Sequence, residues 1–128
     1  MPTPLRVLFI EDSEDDATLI LRALRRGCYD PVWERHDTAA GVCTALSQMW
    51  DIILCDYVMP QFSAAAALRL VQERGLDVPV IVVSGEGCNE AAVAALKGGA
   101  RDYVMKDGLD RLVPAVARAL GESPRPVA

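Results

Sequence analysis

Five times along this chain a short apolar run gives way to a longer amphipathic stretch. No other feature limits the fold so tightly. Strands that alternate strictly with helices pair as a parallel sheet, and the helices must cover both of its faces. The crossovers are right-handed, so few topologies remain. The runs are Leu5–Ile10, Pro31–His36, Asp51–Cys55, Val78–Val83 and Tyr103–Met105. The third and fourth are the most continuously apolar, as central strands buried on both faces require. The second alternates only in part and opens on proline, which suits a sheet edge. These assignments predict an α/β fold of flavodoxin-like (βα)5 type, with strand order 2-1-3-4-5 and helices on both faces.

The intervening stretches carry helix signals. Ser13 opens the first, with Asp16 three residues later as a variant capping box, a stripe of Ala17, Ile20, Leu21 and Leu24, and Gly27 as the stop. Asp37 or Thr38 caps a second, with Ala39, Val42, Cys43 and Leu46 on its apolar side. The third follows Pro60, buries Ala64, Ala67, Leu68 and Val71, and ends at Gly75; a fourth runs from Asn89 to Lys97. The last begins near Asp110 and reaches Leu120, with Pro114 tolerated in or near the first turn, where backbone N–H groups are unused. Residues 1–120 therefore form one domain, and 121–128 form a tail or the start of a linker.

Composition excludes several functions. With 52% hydrophobic and 24% charged residues, the 128-residue chain supports a core and is not disordered. A net charge of -5 and a pI near 4.8 oppose general nucleic-acid binding. No apolar run approaches the ~20 residues of a membrane span, and the N-terminus lacks the pattern of a signal peptide, so a cytoplasmic location is expected. Cys28, Cys43, Cys55 and Cys88 form no C-x-x-C pair and are expected to be reduced packing residues. His36 is the sole histidine, too few for a multi-histidine metal site.

In open α/β sheets, ligands bind beyond the carboxyl ends of the strands. Glu11 and Asp12 follow the first strand, Asp56 the third, Ser84 the fourth and Lys106 the fifth. Two adjacent carboxylates with a third beside them repel one another, and a divalent cation removes that repulsion. Oxygen-only ligands suit Mg²⁺. Capping of the first helix is the alternative for Glu11 and Asp12, and Glu14, Asp15 and Asp16 are expected to serve that role. Asp56 ends an apolar strand, where a carboxylate is costly without a cation, and it is a candidate nucleophile; its alternative is a loop cap. Lys106, one of only two lysines, offers an ammonium for a carboxylate and then for a phosphoryl oxygen; its alternative is a surface lysine. Ser84 offers a hydroxyl donor, although serine before glycine is also ordinary turn chemistry.

These segments resemble the receiver domain of two-component response regulators. The resemblance runs over residues 5–120, through Leu8–Ser13, Asp51–Pro60, Val80–Gly85 and Ala95–Lys106. It implies that Asp56 accepts a phosphoryl group from a sensor histidine kinase or a histidine phosphotransfer protein. It implies that Glu11, Asp12, Asp56 and the backbone carbonyl of Val58 bind Mg²⁺, and that Ser84 and Lys106 hold the phosphoryl oxygens. Tyr103 would be an aromatic switch coupled to Ser84, although simple packing also suits its amphipathic ring. The implied output face joins the fourth helix, fifth strand and fifth helix, with a homodimer as one possible outcome, and no enzyme activity beyond the domain's own phosphorylation and dephosphorylation. The fourth helix is alanine-rich and is expected to offer few large anchors.

Three positions depart from the family's pattern: Ala64 in place of a common glycine, Ser84 in place of a common threonine, and Asp107 where proline usually follows the lysine. The last predicts a trans Lys106–Asp107 bond, a loop turned by Gly108, and a looser aim for the lysine. A dinucleotide-binding protein would need a glycine-rich first turn, and a flavodoxin-type carrier a hydroxyl-rich phosphate loop; the acidic Glu11–Asp16 segment supplies neither. A pseudo-receiver without phosphorylation is the further alternative, which the full set of site residues disfavours; the chain is expected to be either a single-domain regulator or a receiver cut from a longer kinase or cyclase protein.

Overall fold

A computed structural model describes residues 2–57, 62–85 and 89–121. Its elements are β1 (Thr3–Ile10), α1 (Glu14–Arg26), β2 (Tyr29–His36), α2 (Ala39–Ala45), β3 (Ile52–Cys55), α3 (Ala64–Glu73), β4 (Val80–Ser84), α4 (Asn89–Lys97), β5 (Asp102–Met105), a 3₁₀ helix at Lys106–Arg111 and α5 (Leu112–Ala119). The five strands form one sheet in the order β2-β1-β3-β4-β5, and every pairing is parallel. This is the flavodoxin-like fold the alternation predicts.

Strand residues alternate between two cores. Leu8, Ile10, Ile53, Cys55, Val80 and Val82 face one side, against residues of α2, α3 and α4. Leu5, Val7, Phe9, Ile52, Leu54, Ile81, Val83 and Val104 face the other, against α1 and α5. The α3 face is the predicted one, with Ala64, Ala67, Leu68 and Val71 buried. Ser13, Thr38 and Ser63 each cap a helix by accepting from the backbone N–H three residues on, at 3.1 Å.

Several details differ from the sequence reading. β1 starts at Thr3 rather than Leu5; its first residues pair only with β2, so Pro4 interrupts no central ladder. Ala39 is exposed, while Ala45 lies under α2 in its place. Gly27 ends α1 at φ -87°, and the left-handed residue is Cys28, at φ 69°. Cys28 is exposed, so it is not a packing residue; Cys55 is. Cys88 lies outside the described residues. The α5 helix begins at Leu112, two residues late, because 106–111 wind as 3₁₀, and Pro114 lies in its first turn. On α4, Val93 and Leu96 are 49% and 47% exposed, so this face carries larger apolar anchors than its alanine content suggests.

Candidate functional site

The ends of β1 and β3 set the first two acids side by side. Ile10 pairs with Cys55 in the last rung, and the ladder continues one residue further, with the Asp56 N–H donating to the Ile10 carbonyl at 2.8 Å. On the other side, the Glu11 N–H donates to the His36 carbonyl at 3.1 Å. Backbone pairing thus fixes both residues before their side chains meet anything. Across β4 and β5, Ser84 pairs with Met105, which delivers Lys106 to the same rim.

Glu11, Asp56 and Ser84 are the buried polar or charged residues among those described, at 2%, 7% and 1% exposure. All three stand where the sequence places the chemistry. One oxygen from each of Glu11, Asp12 and Asp56 lies within 4.8 Å of the others, with Asp12 the exposed member. Three oxygen donors this close fit a hard divalent cation that keeps several waters. The Val58 carbonyl, implied as a further ligand, lies outside the described residues.

The Lys106 ammonium sits among the acids. Its Nζ is 2.6 Å from Asp16 Oδ2, 2.9 Å from Glu11 Oε1 and 3.4 Å from Asp56 Oδ2. Burial alone would lower the lysine's pKa, but hydrogen bonds to Asp16 and Glu11 outweigh it and hold the ammonium firmly protonated. Glu11 shows the opposite balance. Burial pushes its carboxyl up to about 7 with help from the Asp56 charge, against the lowering pull of Lys106 and of the Ser13 N–H.

Asp16 is the site residue that sequence reasoning missed. The expected capping box forms only by half: Ser13 accepts from the Asp16 N–H, while the Ser13 N–H donates to Glu11 Oε2 at 3.2 Å. That leaves the Asp16 carboxylate for Lys106, 90 residues further along the chain. Arg35 was also missed. From β2 it donates to the Glu11 carbonyl at 3.1 Å and to Glu14 at 3.2 Å. Both contacts span elements distant in sequence, and no local spacing signals them.

Tyr103 is half-buried on the α4 side and meets Tyr57 edge-on, with ring centroids 6.2 Å apart. The Lys106–Asp107 bond is trans, as expected. The kink falls at Gly108, as expected, but at φ -125° rather than in the left-handed region. The Lys106 ammonium, whose aim is expected to be looser without a following proline, is paired with both Glu11 and Asp16.

Nucleotide-binding sheets of this architecture meet pyrophosphate with glycine-rich turns. Here the rim is a group of carboxylates around one ammonium. The chain belongs to the response regulator receiver domain family, whose model matches residues 7–117. Among its relatives, transcriptional regulatory protein ZraR of Escherichia coli K12 is 30% identical over 118 residues, 91% of this chain and 26% of its own length. The phosphate regulon transcriptional regulatory protein PhoB of Klebsiella pneumoniae is 30% identical over 105 residues, 79% of this chain and 44% of its own. The chain thus spans about a quarter of ZraR and under half of PhoB. The signal receiver domain of the response regulator NarL from Mycobacterium tuberculosis superposes with a TM-score of 0.80 at 27% identity, covering 94% of this chain and 98% of that one. Among the described residues, no helix is long and apolar enough to cross a membrane.

Proposed function

We propose that this domain takes a phosphoryl group on Asp56 from the phosphohistidine of a sensor kinase or phosphotransfer protein. In the transfer, an Asp56 carboxylate oxygen forms the new P–O bond as the P–N bond breaks. The imidazole nitrogen leaves with the electron pair. The observation that carries the reading is the buried Asp56 carboxylate with a firmly protonated ammonium 3.4 Å away, on a rim of further acids. Glu11, Asp12 and Asp56 would hold Mg²⁺, which when bound neutralises charge on the transferring oxygens. Lys106 and Ser84 then bind phosphoryl oxygens, a positioning and charge task typical of phosphoryl transfer. The domain acts as a phosphoacceptor in the cytoplasm, with no enzyme activity beyond its own phosphorylation and dephosphorylation.

The output lies on α4, β5 and α5. Ser84 ends β4 and leads toward α4, and Tyr103 sits on β5 within that face. Val93 and Leu96 supply its apolar contacts, suited to a protein partner or to a second copy of the domain. No direct contact with nucleic acid or membrane is proposed. The test is intact-mass measurement with acetyl phosphate. The domain should gain one phosphoryl group only when Mg²⁺ is present, and Asp56→Asn should gain none. Persistent labelling of that variant with Mg²⁺ would overturn the assignment.

A further inference from the structure

The Lys106 ammonium has three N–H bonds and three carboxylates around it. Asp16 is nearest at 2.6 Å and Asp56 farthest at 3.4 Å. The resting lysine is therefore held more closely by α1 than by the residue proposed to receive the phosphoryl group. The N-terminal cap of α1 does not need the Asp16 side chain, because Ser13 takes the backbone N–H of residue 16, which any side chain there retains. Nor does it belong to the close triplet of Glu11, Asp12 and Asp56. Its side chain is 35% exposed, against 2% for Glu11, so it returns to water easily when the lysine departs.

We propose that Asp16 is a positioning residue for phosphoryl transfer: it parks the Lys106 ammonium on α1 in the resting state, and the arriving phosphoryl group must win the ammonium from it. This rests on Asp56 as the phosphoacceptor. Phosphorylation replaces one carboxylate charge by a group carrying about -2 and three strong acceptor oxygens. The balance then tips away from Asp16, and the ammonium moves across the rim. Asp16 opposes phosphorylation by stabilising the unphosphorylated arrangement alone, since only a ligand that binds one state better shifts the equilibrium.

The experiment compares wild type, Asp16→Asn, Asp16→Ala and Asp16→Glu with saturating Mg²⁺. It measures the rate of phosphoryl uptake from acetyl phosphate and the affinity for beryllofluoride, a phosphoryl mimic. Loss of one half-exposed ion pair predicts about fivefold faster uptake and about fivefold tighter mimic binding in Asp16→Asn and Asp16→Ala. Asp16→Glu should return both toward wild type. A purely structural role would lower thermal stability without raising either quantity. Unchanged or slower uptake in both variants, with wild type still labelled on Asp56, overturns the proposal. A wild type that takes no label on Asp56 overturns the proposed function instead.

Discussion

Replacing Gly27 by alanine tests how tightly α1 is seated against α5. At φ -87° and ψ 14°, residue 27 has a backbone that alanine adopts freely. On backbone grounds alone the change would stabilise the fold by ~0.4–1 kcal/mol, through a less mobile unfolded chain. The packing says otherwise. A Cβ at this position would lie 2.5 Å from Val113 Cγ2 and 2.8 Å from Cγ1. Val113 is β-branched and helical, so its χ1 has one strongly preferred rotamer. Either the valine leaves that rotamer or α5 moves outward, and overpacking of this kind costs ~1–3 kcal/mol. The net expectation is a loss of about 1–2 kcal/mol, read as a lower urea midpoint with an unchanged slope. The double variant Gly27→Ala/Val113→Ala removes the clash and should be less destabilised than the two single effects added together. If Gly27→Ala alone raised the midpoint, the clash argument would fail, and the glycine would be no more than a helix stop.

Glu11 gives a pH prediction. Its carboxyl rises from an ordinary 4.5 to about 7 in the fold, so the native state binds the proton more tightly than the unfolded chain does. Stability of the metal-free domain should therefore fall as pH rises from about 4.5 through 7, and Glu11→Gln should gain on wild type across that window, by about 3 kcal/mol at most. Urea midpoints in EDTA at pH 5 and 8 measure it; a pH-independent difference between the two proteins would refute the burial argument. For the output face, beryllofluoride with Mg²⁺ should move amide resonances of α4, β5 and α5, and shifts confined to α1 would exclude the relay through Ser84 and Tyr103.

What the sequence made legible follows from periodicity and position. Strand order came from strict alternation and from the two most apolar runs, and the site from asking what stands after each strand. The buried group of Glu11, Asp56 and Ser84 answers that question directly. What stayed hidden depends on contacts between distant elements. Asp16 has the sequence context of a helix-terminal acid, and only the fold places Lys106 2.6 Å from it. Gly27 reads as a helix stop, yet the left-handed conformation falls on Cys28, and the missing side chain at 27 makes room for Val113. The exposure of Val93 and Leu96 is equally invisible in an alanine-rich stretch, where several faces could be turned inward.

Cys55 immediately precedes Asp56, fully buried on the α2–α3–α4 side of the sheet, with its Sγ donating to the Asp56 carbonyl at 3.3 Å. The acyl phosphate that the proposed function would form on Asp56 is a mixed anhydride, and a neighbouring thiolate is the side-chain nucleophile best able to capture it as a thioester, expelling phosphate. Burial pushes the Cys55 thiol far up, and the carboxylates of Asp56 and Glu11 push it further. The sulfur therefore stays protonated at any physiological pH. Strand alternation turns a potential saboteur into inert filling, so under the proposed function the lifetime of a phosphoryl group on Asp56 would be set by groups on the rim and not from within the sheet.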